Sequence, residues 1–406
     1  VATTFFGESF STIQIINLVQ DIQLKSKDIS KDLEKLNLLC KDILMLVSEL
    51  RNLLDARNDR ISFNNIPKKN LFSEKLNKIF EEVNNLNNYI DIYKEQSPEM
   101  IKLSERFKLL LEIFHTWEIS HSNNYVYWLD VYAKSIQFNI TPITISHHFK
   151  NLQERSKGAW IFTSATLAVN ESFTHFQNIM GLEKAKTLHL KSPFNFNENA
   201  YLYVPKDMPE PNTDMFNLAL IKKAIPLILA AKGRTFILST SLKSMNEITS
   251  FLKDEFEKKE IPFPILTQGY ASKNILLDQF KLHGNSVLVG SLSFWEGIDV
   301  RGPALSLVII DKLPFQSPGD PVFESKINLQ KEKGENPFMT LQLPQAIITL
   351  KQGAGRLIRD EYDKGVLMIC DLRIINKPYG KIIWKSLPPF KRTRDENEVI
   401  DFLNGL

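Results

Sequence analysis

Cysteine is nearly absent from this 406-residue chain: Cys40 and Cys370 stand far apart, with no Cys-x-x-Cys and no Cys/His cluster around either. A disulfide framework, a zinc site built on cysteines and a four-cysteine iron–sulfur cluster are therefore excluded within the chain. The seven histidines form no His-x-x-x-His pair, and no metal site is expected from them. Long hydrophobic runs are missing as well; none approaches the ~18 consecutive apolar residues of a membrane span. The amino terminus, VATTFFGESF, has no basic segment followed by an apolar core, so no secretory signal is read there and the cytoplasm is the expected compartment. Charge of one sign is also scarce. The net charge is +3, split as −1 over residues 1–150 and +4 beyond, too little to mark a nucleic-acid binder by composition. Any electrostatic groove must come from local placement. What remains, 43% hydrophobic and 24% charged residues, is the balance of a globular protein with a sizeable core, and the length suggests about two to four domains.

Glycine divides the chain. After Gly7 none occurs until Gly158, and only Pro67, Pro98 and Pro142 precede residue 150. Such a stretch, rich in Leu, Ile, Lys, Glu and Asn, reads as helices. Within it, residues 33–50 and 72–93 repeat apolar side chains at three- and four-residue spacing, and residues 56–70 read as a connecting loop. From about residue 124 the period changes: YVYWLDV and SIQFNITPITI alternate, and WIFTSAT (160–166) reads as a buried strand. Short apolar strands then alternate with helices through RTFILST, SVLVG, LSLVIID and GVLMICD. That alternation predicts a parallel α/β sheet after a helical domain.

Three segments could carry chemistry. WIFTSATL sets Thr163, Ser164 and Thr166 at the carboxyl end of a strand, where parallel sheets present their ligand sites, although hydroxyls there also serve as turn or cap residues. In VLVGSLSFWEGIDVRGPALSLVIID (287–311), Gly290 ends a strand and a loop carries Glu296, Gly297 and Asp299. The glycines allow close backbone approach, and a loop carboxylate such as Asp299 can bind a ribose hydroxyl; an exposed acidic turn is the plainer alternative. Phe294 and Trp295 could stack on bases or anchor the loop in the core. In LPQAIITLKQGAGRLIRD (343–360), a helix running to about residue 359 would project Gln352, Arg356 and Arg359 from one face. The chain has only 12 arginines against 38 lysines, and two guanidinium forks one turn apart suit a phosphate whose charge spreads during transfer. A solvated, salt-bridged helix face is the alternative.

Taken in order, with RTFILSTSLKS (234–244), DKLPFQSPGDP (311–321) and the Asp371–Arg373 pair, these segments resemble the DinG/XPD-type branch of superfamily 2 DNA helicases over residues 158–380. TSATL is similar to motif III, FILSTS to motif IV, GSLSFWEGIDVRG to motif V and QGAGRLIRD to motif VI. The FWEG and LPF segments look closer to the bacterial DinG-like proteins. The resemblance implies an all-helical arch-like domain over 1–120, a remnant of a first RecA-like motor domain over 121–195, and a second RecA-like motor domain over 196–406. It implies ATP hydrolysis with magnesium and translocation on single-stranded DNA, typically 5′ to 3′, in repair or replication. By the same resemblance Arg356 and Arg359 would be arginine fingers and Gln352 would position nucleotide or water. Glu296, Gly297 and Asp299 would lie at the ribose and phosphates. Thr163, Ser164 and Thr166 would couple nucleotide state to DNA, and Thr240, Ser241, Ser291 and Phe294 would lie along the DNA.

Other family elements are not found. No segment matches the phosphate loop G-x-x-x-x-G-K-[ST]; Gly380-Lys381 is followed by Ile382 and preceded at the needed spacing by Ile375. No Asp-Glu-Ala-His stretch exists to hold magnesium, and the family's four cluster cysteines are missing. The chain opens on Val1 where the family's arch approach begins. It therefore reads as the carboxy-terminal portion of a longer helicase, unable to hydrolyse ATP alone and exposing apolar surface over 124–195. The alternative is a non-catalytic single-stranded-DNA-binding module derived from such a motor. An unrelated α/β nucleotide-binding enzyme would need a glycine-rich fingerprint after its first strand, and none is present.

Overall fold

The computed structural model describes residues 2–25, 33–54, 59–93, 95, 97–119, 124–295, 300 and 302–406. It divides into two compact units. One comprises Val1–Gly158, Ile179–Leu182 and Ser317–Glu335; the other comprises Ala159–Asn178, Glu183–Gln316 and Asn336–Leu406.

The first unit is mostly helical because its sequence repeats apolar residues every three or four positions. Helix Lys69–Tyr93 buries Phe72, Leu76, Ile79, Phe80, Val83, Leu86 and Ile90 along one stripe, as an amphipathic helix does. Helix Pro98–Ile119 starts on a proline, whose missing N–H costs nothing in a first turn. Helices Thr12–Lys25 and Leu33–Asn52 complete the layer. These helices pack on a four-stranded antiparallel sheet made of β1 (Glu8–Ser11), β2 (Asp59–Ser62), β3 (Tyr125–Val131) and β4 (Ile136–Pro142), in the order β1-β4-β3-β2. Phe10 of β1 stacks on Phe138 of β4 at 4.4 Å, and Trp117 meets Phe138 edge-on at 5.3 Å. Residues 1–120 are thus not wholly helical. The alternating strands after residue 124, expected in the motor remnant, pair with β1 and β2 in this unit instead. Helix Pro321–Glu332 also belongs to this unit; it is capped by Asp320, whose carboxylate accepts from Phe323 N at 3.0 Å.

The second unit holds the expected parallel sheet. Its strands are β5 (Ala200–Tyr203), β6 (Thr235–Leu238), β7 (Ile265–Thr267), β8 (Val287–Gly290), β9 (Leu307–Ile310), β10 (Gly365–Ile369) and β11 (Lys391–Thr393). They run in the order β11-β5-β10-β9-β6-β8-β7, every pairing parallel. β5, β6, β8, β9 and β10 are buried at every position, which explains their unbroken apolar runs: helices cover both faces. Alternate residues feed two cores. Leu238, Leu288, Ile310 and Leu367 meet Ile347 and Leu350 on one face, while Ile237, Val289, Ile309 and Val366 meet Leu220, Ile228, Ile248 and Leu252 on the other.

WIFTSAT departs from expectation. Residues 159–164 form no strand; Trp160 is 42% exposed and Ile161 85%, and farther on Leu188 and Leu190 are about as open. A parallel strand makes no hydrogen bonds within itself, and no strand among the described residues pairs with this one. An apolar run alone does not make a buried strand.

Candidate functional site

The carboxyl ends of β9, β6 and β10 lie side by side, and each releases polar residues. Asp311, one residue past β9, is fully buried. Its carboxylate accepts from Thr240 N at 3.0 Å, Thr240 Oγ1 at 3.2 Å, Ser244 Oγ at 2.9 Å and its neighbour Lys312 N at 2.6 Å. Burial raises the Asp311 carboxyl above the ordinary carboxylate range, and the hydrogen bonds from Thr240, Ser244 and Lys312 offset this only in part. Thr240 is thereby fixed, and the next residue, Ser241, caps helix Leu242–Lys258 by accepting from Ser244 N at 3.1 Å.

Past β10, Asp371 is also without solvent exposure. It accepts from Leu313 N at 2.9 Å and takes the Arg373 fork through Nη2 at 2.6 Å and Nε at 3.0 Å. Arg373 lies 5.5 Å above the Phe315 ring, and Phe315 joins Phe338 and Tyr379 in a half-buried aromatic cluster with centroids 5.0–5.8 Å apart. The sequence did not single out Asp311 or this cluster. The position of Asp311 directly after an apolar strand run was the available signal.

Ser291, just past β8, is 7% exposed and sends both its N–H and its hydroxyl to Gln268 Oε1, at 2.8 and 2.9 Å. Phe294 is 3% exposed, so it does not offer a ring for base stacking. A Cβ on Gly290 would meet it at 2.8 Å, and Lys273 covers its ring from 5.3 Å. Trp295 is wholly buried. This aromatic pair anchors the loop. Glu296, Gly297 and Asp299 lie outside the described residues.

Helix Leu343–Ala354 ends sooner than the spacing suggested, with Gly355 as its cap. Gln352 stands in its last turn, but Arg356 and Arg359 lie beyond it, so the three side chains do not share one helical face. Gly353 and Gly355 give the reason, since glycine weakens a helix interior and favours its end. Gly353 also admits Trp295: a Cβ there would meet the indole at 2.9 Å. Arg356, 8% exposed, turns inward and donates from Nε to the Trp295 carbonyl at 2.8 Å, with Nη2 on the same oxygen. Arg359 is half-buried, and its backbone N–H donates to Asp363 Oδ2 at 2.8 Å.

Thr163 and Ser164 are exposed and Thr166 is half-buried. Ser164 Oγ lies 3.1 Å from Thr166 Oγ1 and accepts from Thr166 N at 3.2 Å. Their segment is tied to the helix of Gln352 by Lys351, whose Nζ donates to Ala168 O at 3.1 Å; burial lowers the Lys351 pKa.

Burial pushes the Cys40 thiol up to about 11 and raises Cys370 well above its usual value, with Asp311 and Asp371 adding to the latter. Two buried, protonated thiols in separate units are no cluster ligands. Among the described residues no group of three or more His, Cys, Asp or Glu is arranged to hold a metal ion. No helix of the described residues is long and apolar enough to cross a membrane.

Residues 225–390 match the family described as the helicase C-terminal domain. The chain is 38% identical over 408 residues to the ATP-dependent DNA helicase YoaA of Haemophilus influenzae, covering 100% of itself and 63% of that protein. It is 33% identical over 264 residues to the ATP-dependent helicase DinG of Mycobacterium tuberculosis, covering 64% of itself and 39% of that protein. A solved XPD helicase structure superposes with a TM-score of 0.61 at 19% identity, over 96% of this chain and 66% of that one; this likeness concerns the fold alone. The chain spans less than two thirds of the length of these curated relatives.

Proposed function

We propose that this chain, which belongs to the DinG/XPD-type helicases of superfamily 2, is the carboxy-terminal portion of an ATP-dependent helicase that moves along single-stranded DNA, 5′ to 3′, in repair or replication. The arrangement that supports this most is the turn after helix Leu343–Ala354. It sets Arg359 on a buried carboxylate anchor and Arg356 against the backbone of the loop that follows β8. A guanidinium held by its backbone can meet charge that develops on a transferring phosphoryl group without first paying to be ordered.

In this proposal Arg359 meets the γ-phosphate. Arg356 holds the Trp295 carbonyl and reaches the nucleotide only if it releases it; Glu296, Gly297 and Asp299 would face the ribose and phosphates. Gln352 positions nucleotide or water. Thr240 and Ser241, with Ser291, lie along the DNA backbone, and Thr163, Ser164 and Thr166 pass the nucleotide state to it through the Lys351 tie. The exposed run around 159–191 is the remnant of the first motor domain, left open for strands supplied by another part of the protein. The helical unit is the arch. Magnesium, when bound, would neutralise phosphate charge. A phosphate loop is also needed, so the chain alone is expected to be inactive.

The test is ATP hydrolysis stimulated by single-stranded DNA, measured on the full-length protein and on this chain. Arg359→Ala in the full-length protein should lower kcat by about 10³-fold or more while nucleotide-free DNA binding persists. Turnover by this chain alone, abolished by Arg356→Ala, would refute the proposed division of the site.

A further inference from the structure

We infer that Asp363 is the positioning residue for Arg359, and that it locks the turn bearing that arginine to the end of the loop after β8. This rests on the proposed role of Arg359 at the γ-phosphate. Helix Leu343–Ala354 stops five residues before Arg359, so helical hydrogen bonding does not set that backbone. A single carboxylate does. Asp363 is 7% exposed; Oδ2 accepts from Arg359 N at 2.8 Å and Asp360 N at 2.9 Å, and Oδ1 accepts from Gly302 N at 3.1 Å. Asp363 N closes the turn on Asp360 O at 3.3 Å.

Three backbone N–H groups converge on one buried carboxylate, where hydrogen bonds little exposed to water are strong and directional. Both oxygens are used, and they join stretches of chain 61 residues apart. Gly302 takes a φ of +78° there, which side-chain-bearing residues resist. At the other side of the same loop, the Trp295 carbonyl is held by Arg356. The loop is therefore flanked in sequence by Trp295 and Gly302, each bonded to the turn that carries Arg359. A displacement of the Gly302 or Trp295 backbone therefore pulls on the turn that carries Arg359.

The test uses the full-length protein and ATP hydrolysis with saturating single-stranded DNA. Asp363→Asn keeps the side chain's size but replaces one acceptor oxygen with a donor, which then faces a backbone N–H. It should lower kcat roughly 10- to 100-fold, the cost of misplacing a reacting group by about 1 Å, with KM for ATP little changed. Because Asp363 acts through Arg359, the double variant Arg359→Ala/Asp363→Asn should be no slower than Arg359→Ala alone. Additive losses, or an unchanged kcat in Asp363→Asn, would overturn the inference. Asp363→Glu retains the carboxylate and should lose less kcat than Asp363→Asn; equal losses would place the effect in packing and also overturn it. Nucleotide-free DNA binding reports whether each variant is folded, and if Asp363→Asn does not fold, Asp363→Glu carries the same double-variant comparison. If Arg359→Ala itself leaves kcat intact, the γ-phosphate role fails, which is a different result from failure of the clamp.

Discussion

Asp311 is closed to solvent and meets donors from Thr240, Ser244 and Lys312. Deleting it leaves the Thr240 amide and the Ser244 hydroxyl without that acceptor in a dry site, each costing about 1–3 kcal/mol. Asp311→Ala should therefore destabilise the sheet unit by about 2–4 kcal/mol, read as a shift of the urea midpoint with an unchanged slope. Arg60 is a contrast. It pairs with Asp130 at 3.2 Å and Asp320 at 2.8 Å but is 55% exposed, where such pairs contribute about 0–1 kcal/mol. At this scale the sequence draws attention to residues unusual for the chain, such as Arg356 and Arg359 among few arginines, without showing what they contact. It was opaque where a common residue became special by burial. Nothing local marks Asp363 as the acceptor of three backbone amides, and nothing local shows that Arg356 turns toward Trp295.

Helices of the first unit and strands of the second were legible because their periods are strong and their neighbours lie in the same chain. The failures have physical causes. Helix Leu343–Ala354 was read five residues too long because apolar spacing outweighed Gly353 and Gly355. β1 and β2 were missed because strands of four residues pair with partners more than sixty positions away, and no local period reports such pairing. WIFTSAT reads as buried because its composition suits a covered strand, yet no strand among the described residues pairs with it. One tie of this last segment is the Lys351 bond to Ala168 O. Lys351→Met, which keeps the side chain's apolar stem and removes its charge, should speed limited proteolysis within 159–175 several-fold while sheet fragments stay intact. Cleavage rates equal to the parent protein's would show that Ala168 and Val169, packed at the core, hold the segment without the lysine.

The whole molecule has separate cores: one under the antiparallel sheet, around Phe107, Trp117 and Phe138, and two on either face of the parallel sheet. A domain with its own core unfolds as a cooperative body, and a chain with two such bodies departs from two-state behaviour. Calorimetry of this chain should therefore resolve two heat absorptions. Phe107→Ala removes a fully buried ring from the helical unit, at a cost of about 3–5 kcal/mol, and Leu367→Ala hollows the centre of β10 at about 2–5 kcal/mol. Each should lower one transition and leave the other in place. The chain passes between the units several times, including around Ser317–Glu335, whose helix leaves the sheet unit's sequence to pack with β2 and β3. Should these crossings bind the bodies into one, both substitutions would shift a single absorption together. Two independent shifts would instead assign each core to its own transition, and Asp320→Ala, which removes the cap of that helix at about 1 kcal/mol, should then move only the transition that responds to Phe107→Ala.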